Sequence, residues 1–538
     1  MRRRPSFFNV FRFVCMQAHA LTVDKFLDHA AKWHGFKEVV STVGSGIRRT
    51  TYAQLREQAV RLSGGLLDNG LRFGDRLATL AWNTVDHLSL SYAAMGVGLV
   101  CHTLNPRLSA KHLAAMVNEA ADRWIAVGEG LQPLLHEILP LCPSVEAVLV
   151  LDDEQLAQPF ARVSHQWELT DFLERSGRAT PWGGFDEESA AGLCYTSGTV
   201  GNPRGVLYTH RSNYLHTLRA LQADAVALTA EDAVLVAVPM FHANGWGFPF
   251  AAPAAGARMV LPGRSLDPTH LRELIEREGV TVAAAVQTVW LGLVDLIESQ
   301  GGQLPSLQRI LIGGSQCPDA LIQRMEERLD VRVQTSWGMT ELSPLGTILP
   351  ANAAPGAEPR SSGRPPMGLD LKLVDSEGAT LPVQRGVVGR LRVRGPSVAD
   401  RYFGDGPGSA LDAEGYLDTG DLAVIDAAGN LTISGRVKDL IKSGGEWINP
   451  KEIEDIVGGL PEVALVAVVG REHPKWGERP VLIIEPRNEQ TLTEQIVLEA
   501  LRGKVPDWWL PDQVVLIDHM PLAATGKIDK RQLRERVS

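Results

Sequence analysis

Cysteine is scarce and unpaired in this sequence: Cys15, Cys101, Cys142, Cys194 and Cys317 are odd in number, widely scattered and never in a C-x-x-C arrangement. That excludes a disulfide frame and a zinc site, and reads as buried thiols in a reducing compartment. Long apolar runs are missing too. A bilayer-crossing helix needs roughly 20 apolar residues; the nearest candidate, Val280–Val294, is interrupted by Thr281, Gln287 and Thr288 and reads as a buried strand leading into a helix. There is no basic excess: 53 Lys and Arg against 63 Asp and Glu leave a formal charge of −10, which repels a polyanion and argues against a nucleic-acid partner. Internal repeats and low-complexity tracts are absent. The opening residues MRRRPSFFNVFRFVCM start basic, but Asn9 and Arg12 break the apolar stretch and no small-residue cleavage pattern follows. They read as an N-terminal extension, or as residues preceding a start at Met16, and not as a secretory signal. The expected location is the cytoplasm.

What is present is material for a large folded enzyme. At 538 residues, 44% hydrophobic and 22% charged, the chain has enough apolar surface for extended cores and enough charge to solvate them. From about residue 50 to 340 it alternates strand-length apolar runs (76–82, 147–151, 192–196, 233–238, 281–286, 309–313) with segments of helical spacing. One of these opens with Asp267 as N-cap and Pro268 at the first helical position, and carries Leu271, Leu274 and Ile275 on one face. Such alternation predicts mainly parallel, helix-covered sheets with ligands at the carboxyl ends of the strands. Pro350–Pro366 punctuates the chain as a loop. Short β-type runs at 387–394 and 430–434 predict an antiparallel, barrel-like unit. After Arg436 the pattern turns to compact α+β, with Asn449, Pro450 and Glu452 as N-cap, first helical residue and N3. We place the domain boundary there: residues 1–437, then 438–538.

Chemistry concentrates in a few segments. Thr196-Ser197-Gly198-Thr199-Val200-Gly201-Asn202-Pro203-Arg204 follows an apolar strand. Its glycines allow close backbone approach, its hydroxyls and amides can donate to phosphate oxygens, and Arg204 adds a cation. An ordinary Ser/Gly turn is the bland alternative, and the Walker pattern does not match. Further on come Ser336-Trp337-Gly338-Met339-Thr340-Glu341, combining a flat aromatic, a hydroxyl and a hard oxygen ligand suited to Mg2+; Asp418-Thr419-Gly420-Asp421, a carboxylate suited to a ribose diol; Gly435-Arg436-Val437-Lys438; and Thr525-Gly526-Lys527.

In this order and spacing the segments resemble the adenylate-forming superfamily of acyl-CoA synthetases, luciferases and peptide-synthetase adenylation domains, over about residues 20 to 535. The resemblance implies a large N-terminal domain of two mixed, mainly parallel sheets plus a small β-barrel, then a small mobile C-terminal α+β domain. It also implies ATP, Mg2+ and coenzyme A as ligands. By resemblance, Thr196, Ser197, Gly198, Thr199, Gly201 and Arg204 handle the β- and γ-phosphates, while Gly314, Ser315, Thr335 and Ser336 line the nucleotide and acyl site. Trp337 stacks on adenine, Thr340 meets the α-phosphate, and Thr196 and Glu341 hold Mg2+. Asp421 and Arg436 take the ribose, and Lys527 is the catalytic lysine. Lys438 is the hinge about which the C-terminal domain turns to present Lys442 and Trp447 toward coenzyme A. His242 is read as an aromatic gate at the acyl carboxyl group, with Ala243 and Trp246 beside the acyl chain; a satisfied core histidine is the competing reading.

Two positions depart from the family's usual T-S-G-T-T-G-x-P-K-G: Val200 replaces a hydroxyl and Arg204 a lysine, exchanging a point charge for a planar fork. The expected activity is acid–CoA ligation on medium- to long-chain fatty acids, with methylthio-alkanoates sharing the pattern. An adenylating enzyme that loads a carrier protein and a non-catalytic acyl- or nucleotide-binding protein are the alternatives. A homodimer, to which Phe7, Phe8, Phe11 and Phe13 would contribute, is a further expectation of the resemblance.

Overall fold

The computed structural model describes residues 16–196, 203–314, 317–353, 361–405, 408–487, 492–523 and 526–537. Cys15, the four N-terminal phenylalanines, Ser197, Gly198, Thr199, Val200, Gly201 and Ser315 lie outside the described residues.

Two large sheets carry most of the chain. One orders its strands Leu345–Ile348, Arg332–Gly338, Arg309–Ile312, Val282–Ala285, Ala233–Val236, Arg258–Leu261, Glu38–Val43 and Gly46–Thr51; its interior pairings are parallel and its two edges antiparallel. The other runs His165–Glu168, Ala147–Val150, Trp124–Val127, Arg76–Leu80, Val100–Leu104, Ala190–Tyr195 and Gly205–Thr209, parallel until the last pair. Strands such as Val282–Ala285 are buried throughout, as expected of parallel strands covered on both faces. The two sheets share one core. Helix Val85–Gly96 is buried at every position, so it lies within that core and not on its surface. Tyr92 on this helix donates to the Pro249 carbonyl at 2.8 Å, fastening it to the apolar helix Phe248–Ala255.

The predicted strand at 281–286 and the following helix appear as Val282–Ala285 and Gln287–Gln300. Asp267 caps its helix through the amides of Thr269 and His270, and Leu271, Leu274 and Ile275 are buried. Where the sequence predicts a barrel-like unit, the strands Asp370–Val374, Val388–Arg394, Leu417–Ile425 and Leu431–Arg436 form a four-stranded antiparallel meander. Its first and last strands are not paired with each other among the described residues, so it is an open sheet. The turn Val437–Asp439 leads from it into a C-terminal sheet of Glu446–Ile448, Ile441–Ser443, Gly477–Pro486 and Val463–His473, with Gln513–Leu516 added in parallel. Asn449 caps the first helix of this unit, accepting from Lys451 N and donating to Glu452 Oε1 at 3.1 Å.

Candidate active site

The first element is a hairpin. Ala190–Tyr195 and Gly205–Thr209 pair antiparallel with Tyr195 opposite Gly205. At its mouth Thr196 N donates to the Arg204 carbonyl at 2.9 Å, and Arg204 N donates to Thr196 Oγ1 at 3.1 Å. Thr196 and Arg204 therefore face each other at the end of the hairpin strands. The Arg204 guanidinium lies over the Tyr402 ring, 3.4 Å from its centroid, and pairs with Asp405 at 3.2 Å. Tyr402 donates its hydroxyl to Glu341 Oε1 at 2.7 Å. Burial and the neighbouring Glu341 carboxylate push the Tyr402 phenol upward, so it stays a proton donor at neutral pH.

Glu341 sits in a short turn, Thr340–Leu342, that is held from below. The Thr209 N-cap begins helix His210–Ala220, whose buried face carries His216 and Arg219. Arg219 donates to the carbonyls of Leu345 (2.7 Å) and Leu342 (3.4 Å) and to Ser397 Oγ (2.7 Å). Burial pushes its pKa down to about 10. His216 Nε2 accepts from Leu345 N at 3.2 Å, and burial drives its pKa well below the ordinary value, so the ring is neutral with its proton on Nδ1. Tyr208 donates to the Thr340 carbonyl at 2.7 Å.

A second group forms around Asp421. Trp337 Nε1 donates to Asp421 Oδ2 at 2.8 Å, and Arg436 Nε, the cross-strand partner of Asp421, meets Oδ1 at 3.0 Å. The Trp337 ring is only 8% exposed and packs with Leu342, Leu373 and Leu391. Gly346 has no Cβ because one would lie 2.3 Å from that ring. Most of the indole face is thus spent on core packing, and its polar edge orients Asp421. Lys527 joins the same group. Burial, followed by the charges of Arg436 and Lys438, pushes its pKa down to about 8, while Asp421 acts in the opposite sense. Burial and Arg436 lower Lys438 as well. Arg436 thus pairs with the Asp421 carboxylate, and the charges of Lys438 and Lys527 act on the same group, an excess of positive charge suited to an anionic ligand.

The third element is the segment after the strand Ala233–Val236. Ala243, Asn244, Gly245, Trp246 and Gly247 all have positive φ, from 42° to 77°. This left-handed turn costs conformational energy at its non-glycine positions and is of the kind found at ligand sites. It aims Trp246 at Gly313 and Gly314: a Cβ on Gly313 would stand 2.9 Å from the indole, and one on Gly314 3.8 Å. His242, partly buried, packs edge-on against Phe241 at 4.8 Å. Ser336 donates to the Ile312 carbonyl (3.0 Å) and Thr335 to that of Ser361 (2.5 Å), so both hydroxyls are engaged in holding neighbouring backbone.

The chain matches the AMP-binding enzyme family over residues 26–403 and the AMP-binding enzyme C-terminal domain over residues 452–527. It belongs to the AMP-binding enzyme family. It is 41% identical to the 3-methylmercaptopropionyl-CoA ligase of Ruegeria pomeroyi, with 97% of this chain and 98% of the relative aligned. Identity is 39% to the medium-chain-fatty-acid–CoA ligase of Ectopseudomonas oleovorans (97% of each chain), and 40% to the long-chain-fatty-acid–CoA ligase of Thermus thermophilus (97% and 96%). The fold is that of ATP-bound MatB from Rhodopseudomonas palustris, with a TM-score of 0.83 at 24% identity over 96% of this chain and 99% of that one.

In this AMP-binding enzyme, two of the expected residues stand apart. Lys442 and Trp447 occupy the C-terminal hairpin, where the lysine lies 5.6 Å from the half-exposed indole and Lys442 N donates to Glu478 Oε2 at 3.1 Å. No hydrogen bond or ion pair among the described residues ties them to the Asp421 group. No cluster of three His, Cys, Asp or Glu side chains suited to a metal occurs among the described residues. Glu341, a lone carboxylate whose Oε2 has no hydrogen-bond partner among them, fits an ion that arrives on a triphosphate and keeps most of its other ligands. No helix among the described residues is long and apolar enough to cross a membrane. Tyr402, Asp405, Arg219 and His216 bear on the site yet sit in no motif of their own; only the fold delivers them.

Proposed function

We propose that this protein is an ATP-dependent carboxylic acid–CoA ligase. The carboxylate attacks the α-phosphorus of ATP, giving acyl-AMP and pyrophosphate; the coenzyme A thiol then displaces AMP to give acyl-CoA. The observation that carries this reading is the partly buried Lys527, brought from the C-terminal unit against Gly314 on the same side of the molecule as the Arg436–Asp421 pair. In the first step two anions must be brought together and spreading negative charge stabilised, which is positioning and electrostatics more than covalent chemistry.

Lys527 is assigned to the carboxylate and the α-phosphate, Asp421 and Arg436 to the ribose hydroxyls, and the segment 196–204 with Arg204 to the terminal phosphates. Trp337 is assigned first to orienting Asp421, with what remains of its face toward adenine. Thr340 would contact the α-phosphate. Glu341, with Thr196, would hold Mg2+, which when bound neutralises charge on the phosphates. Gly314, Ser315, Thr335 and Ser336 would frame the nucleotide, and His242, Ala243 and Trp246 the acyl group. Residues 1–437 and 438–538 act as two units, the second turning about Lys438 to bring Lys442 and Trp447 to coenzyme A.

Medium- to long-chain fatty acids are the favoured substrates, supported by an acyl turn that carries a partly buried indole, Trp246, and by the names of two relatives. The Ruegeria relative supports a methylthio-alkanoate as the second reading. Four buried thiols among the described residues support a cytoplasmic setting, and light scattering tests the expected homodimer. The reaction is tested by pyrophosphate release with a panel of acids, with and without coenzyme A. Acid-dependent pyrophosphate and thioester are expected. Pyrophosphate without thioester favours carrier loading, and none with any acid favours a binding protein.

A further inference from the structure

The segment 399–405 touches both halves of the phosphate machinery. Ala399 N donates to the Glu341 carbonyl and Phe403 N to the Gly205 carbonyl, each at 2.8 Å. Between these anchors Tyr402 uses both of its chemistries: the hydroxyl goes to Glu341 Oε1 (2.7 Å) and the ring face to Arg204 (3.4 Å). A guanidinium is flat and weakly hydrated, so it stacks on an aromatic face where an ammonium would stand off. This gives a physical setting for the arginine at a position where the family's usual loop has lysine. The Asp405 pair is solvent-exposed on both sides and contributes little by itself, so the ring is the more consequential seat.

We propose that Tyr402 is a positioning residue for nucleotide activation: its hydroxyl fixes the Glu341 carboxylate for Mg2+ while its ring seats Arg204 of the phosphate hairpin. The inference rests on the ligase reading above. One carboxylate oxygen is held by the phenol, which leaves Oε2 oriented toward a cation instead of rotating freely. The same side chain couples the hairpin to that carboxylate, so the two arrive on the triphosphate together.

The test is ATP binding by calorimetry on the full chain, in Mg2+ and in EDTA; the ratio of the two Kd values reads the metal's contribution. Tyr402→Phe should lower that ratio about tenfold, the size expected for loss of a hydrogen bond to a charged group. It should leave the EDTA Kd within about twofold, because the phenyl ring still carries Arg204. Tyr402→Leu should weaken the EDTA Kd as well. In a Glu341→Gln background Tyr402→Phe should change the ratio no further, which a merely structural role would not produce. A Tyr402→Phe ratio equal to wild type overturns the inference and leaves the ligase reading intact. A wild-type ratio near one overturns the assignment of Glu341 to the metal, and the inference with it.

Discussion

Lys527 packs directly on Gly314: a Cβ added to the glycine would stand 3.3 Å from Lys527 Cε and 3.4 Å from Val286. The lysine comes from the segment just before the final helix Lys530–Val537 of the C-terminal unit, the glycine from just beyond the strand Arg309–Ile312. Thr288 Oγ1 donates to the Gly526 carbonyl at 3.5 Å on the same seam, and Arg487 pairs with Asp295 at 3.3 Å farther along it. The C-terminal unit is thus held with its lysine against Gly314, the arrangement we propose for the adenylation step.

Gly314→Ala tests that contact. Gly314 has φ +86°, a conformation costing a non-glycine residue about 1 kcal/mol or more, and the methyl would press on the lysine stem. Pyrophosphate release should fall at least tenfold, with a small drop in Tm. Thioester formation from supplied acyl-adenylate, for which the proposed turn of the C-terminal unit withdraws the lysine, should be far less affected.

Lys527→Ala should abolish pyrophosphate release while sparing the second half-reaction; equal loss of both would remove the assignment. The pH profile gives an independent reading. With a folded pKa of about 8, Lys527 loses its charge as pH rises through that value, so kcat/KM for adenylation should decline there. Stability should move the other way. An unfolded lysine keeps its proton to about pH 10.4, so between roughly pH 8 and 10 the unfolded chain binds more protons, and this group's contribution to stability increases with pH. Rate measurements and thermal melts across that window check both signs.

Trp337→Phe removes the indole N–H from Asp421 while keeping most of the ring in the core. ATP binding should weaken about tenfold, the scale of a hydrogen bond to a carboxylate. If Trp337 instead acted mainly by stacking, phenylalanine would retain much of the affinity. Calorimetry with ATP distinguishes the two.

Lys438→Pro should slow thioesterification far more than adenylation, which loses only one charge of the group. The residue lies in the short turn Val437–Asp439 between the meander and the C-terminal sheet, and proline fixes φ where a hinge must absorb a backbone change. Separate assay of the two half-reactions decides; an unaffected second step removes the hinge at this position and, with it, the boundary at 437/438.

Much of the fold was legible because its signals are local. Apolar runs such as 282–285 become strands wherever they can be covered on both faces, and Asp267 and Asn449 cap the amides two or three residues ahead of them. The motif segments were legible as segments, since their glycines, hydroxyls and charged residues are near neighbours; the roles proposed for Thr196, Glu341, Asp421 and Lys527 came from an order and spacing that resemble a family. Only the tertiary structure decided which of these meet and how. The indole of Trp337 turns its edge to a carboxylate 84 residues away, and Tyr402 reaches Glu341 across 61. Arg204 finds Asp405 across 201. Contacts of that range leave no periodicity or spacing in the chain, because they depend on where separately folded strands come to rest against one another.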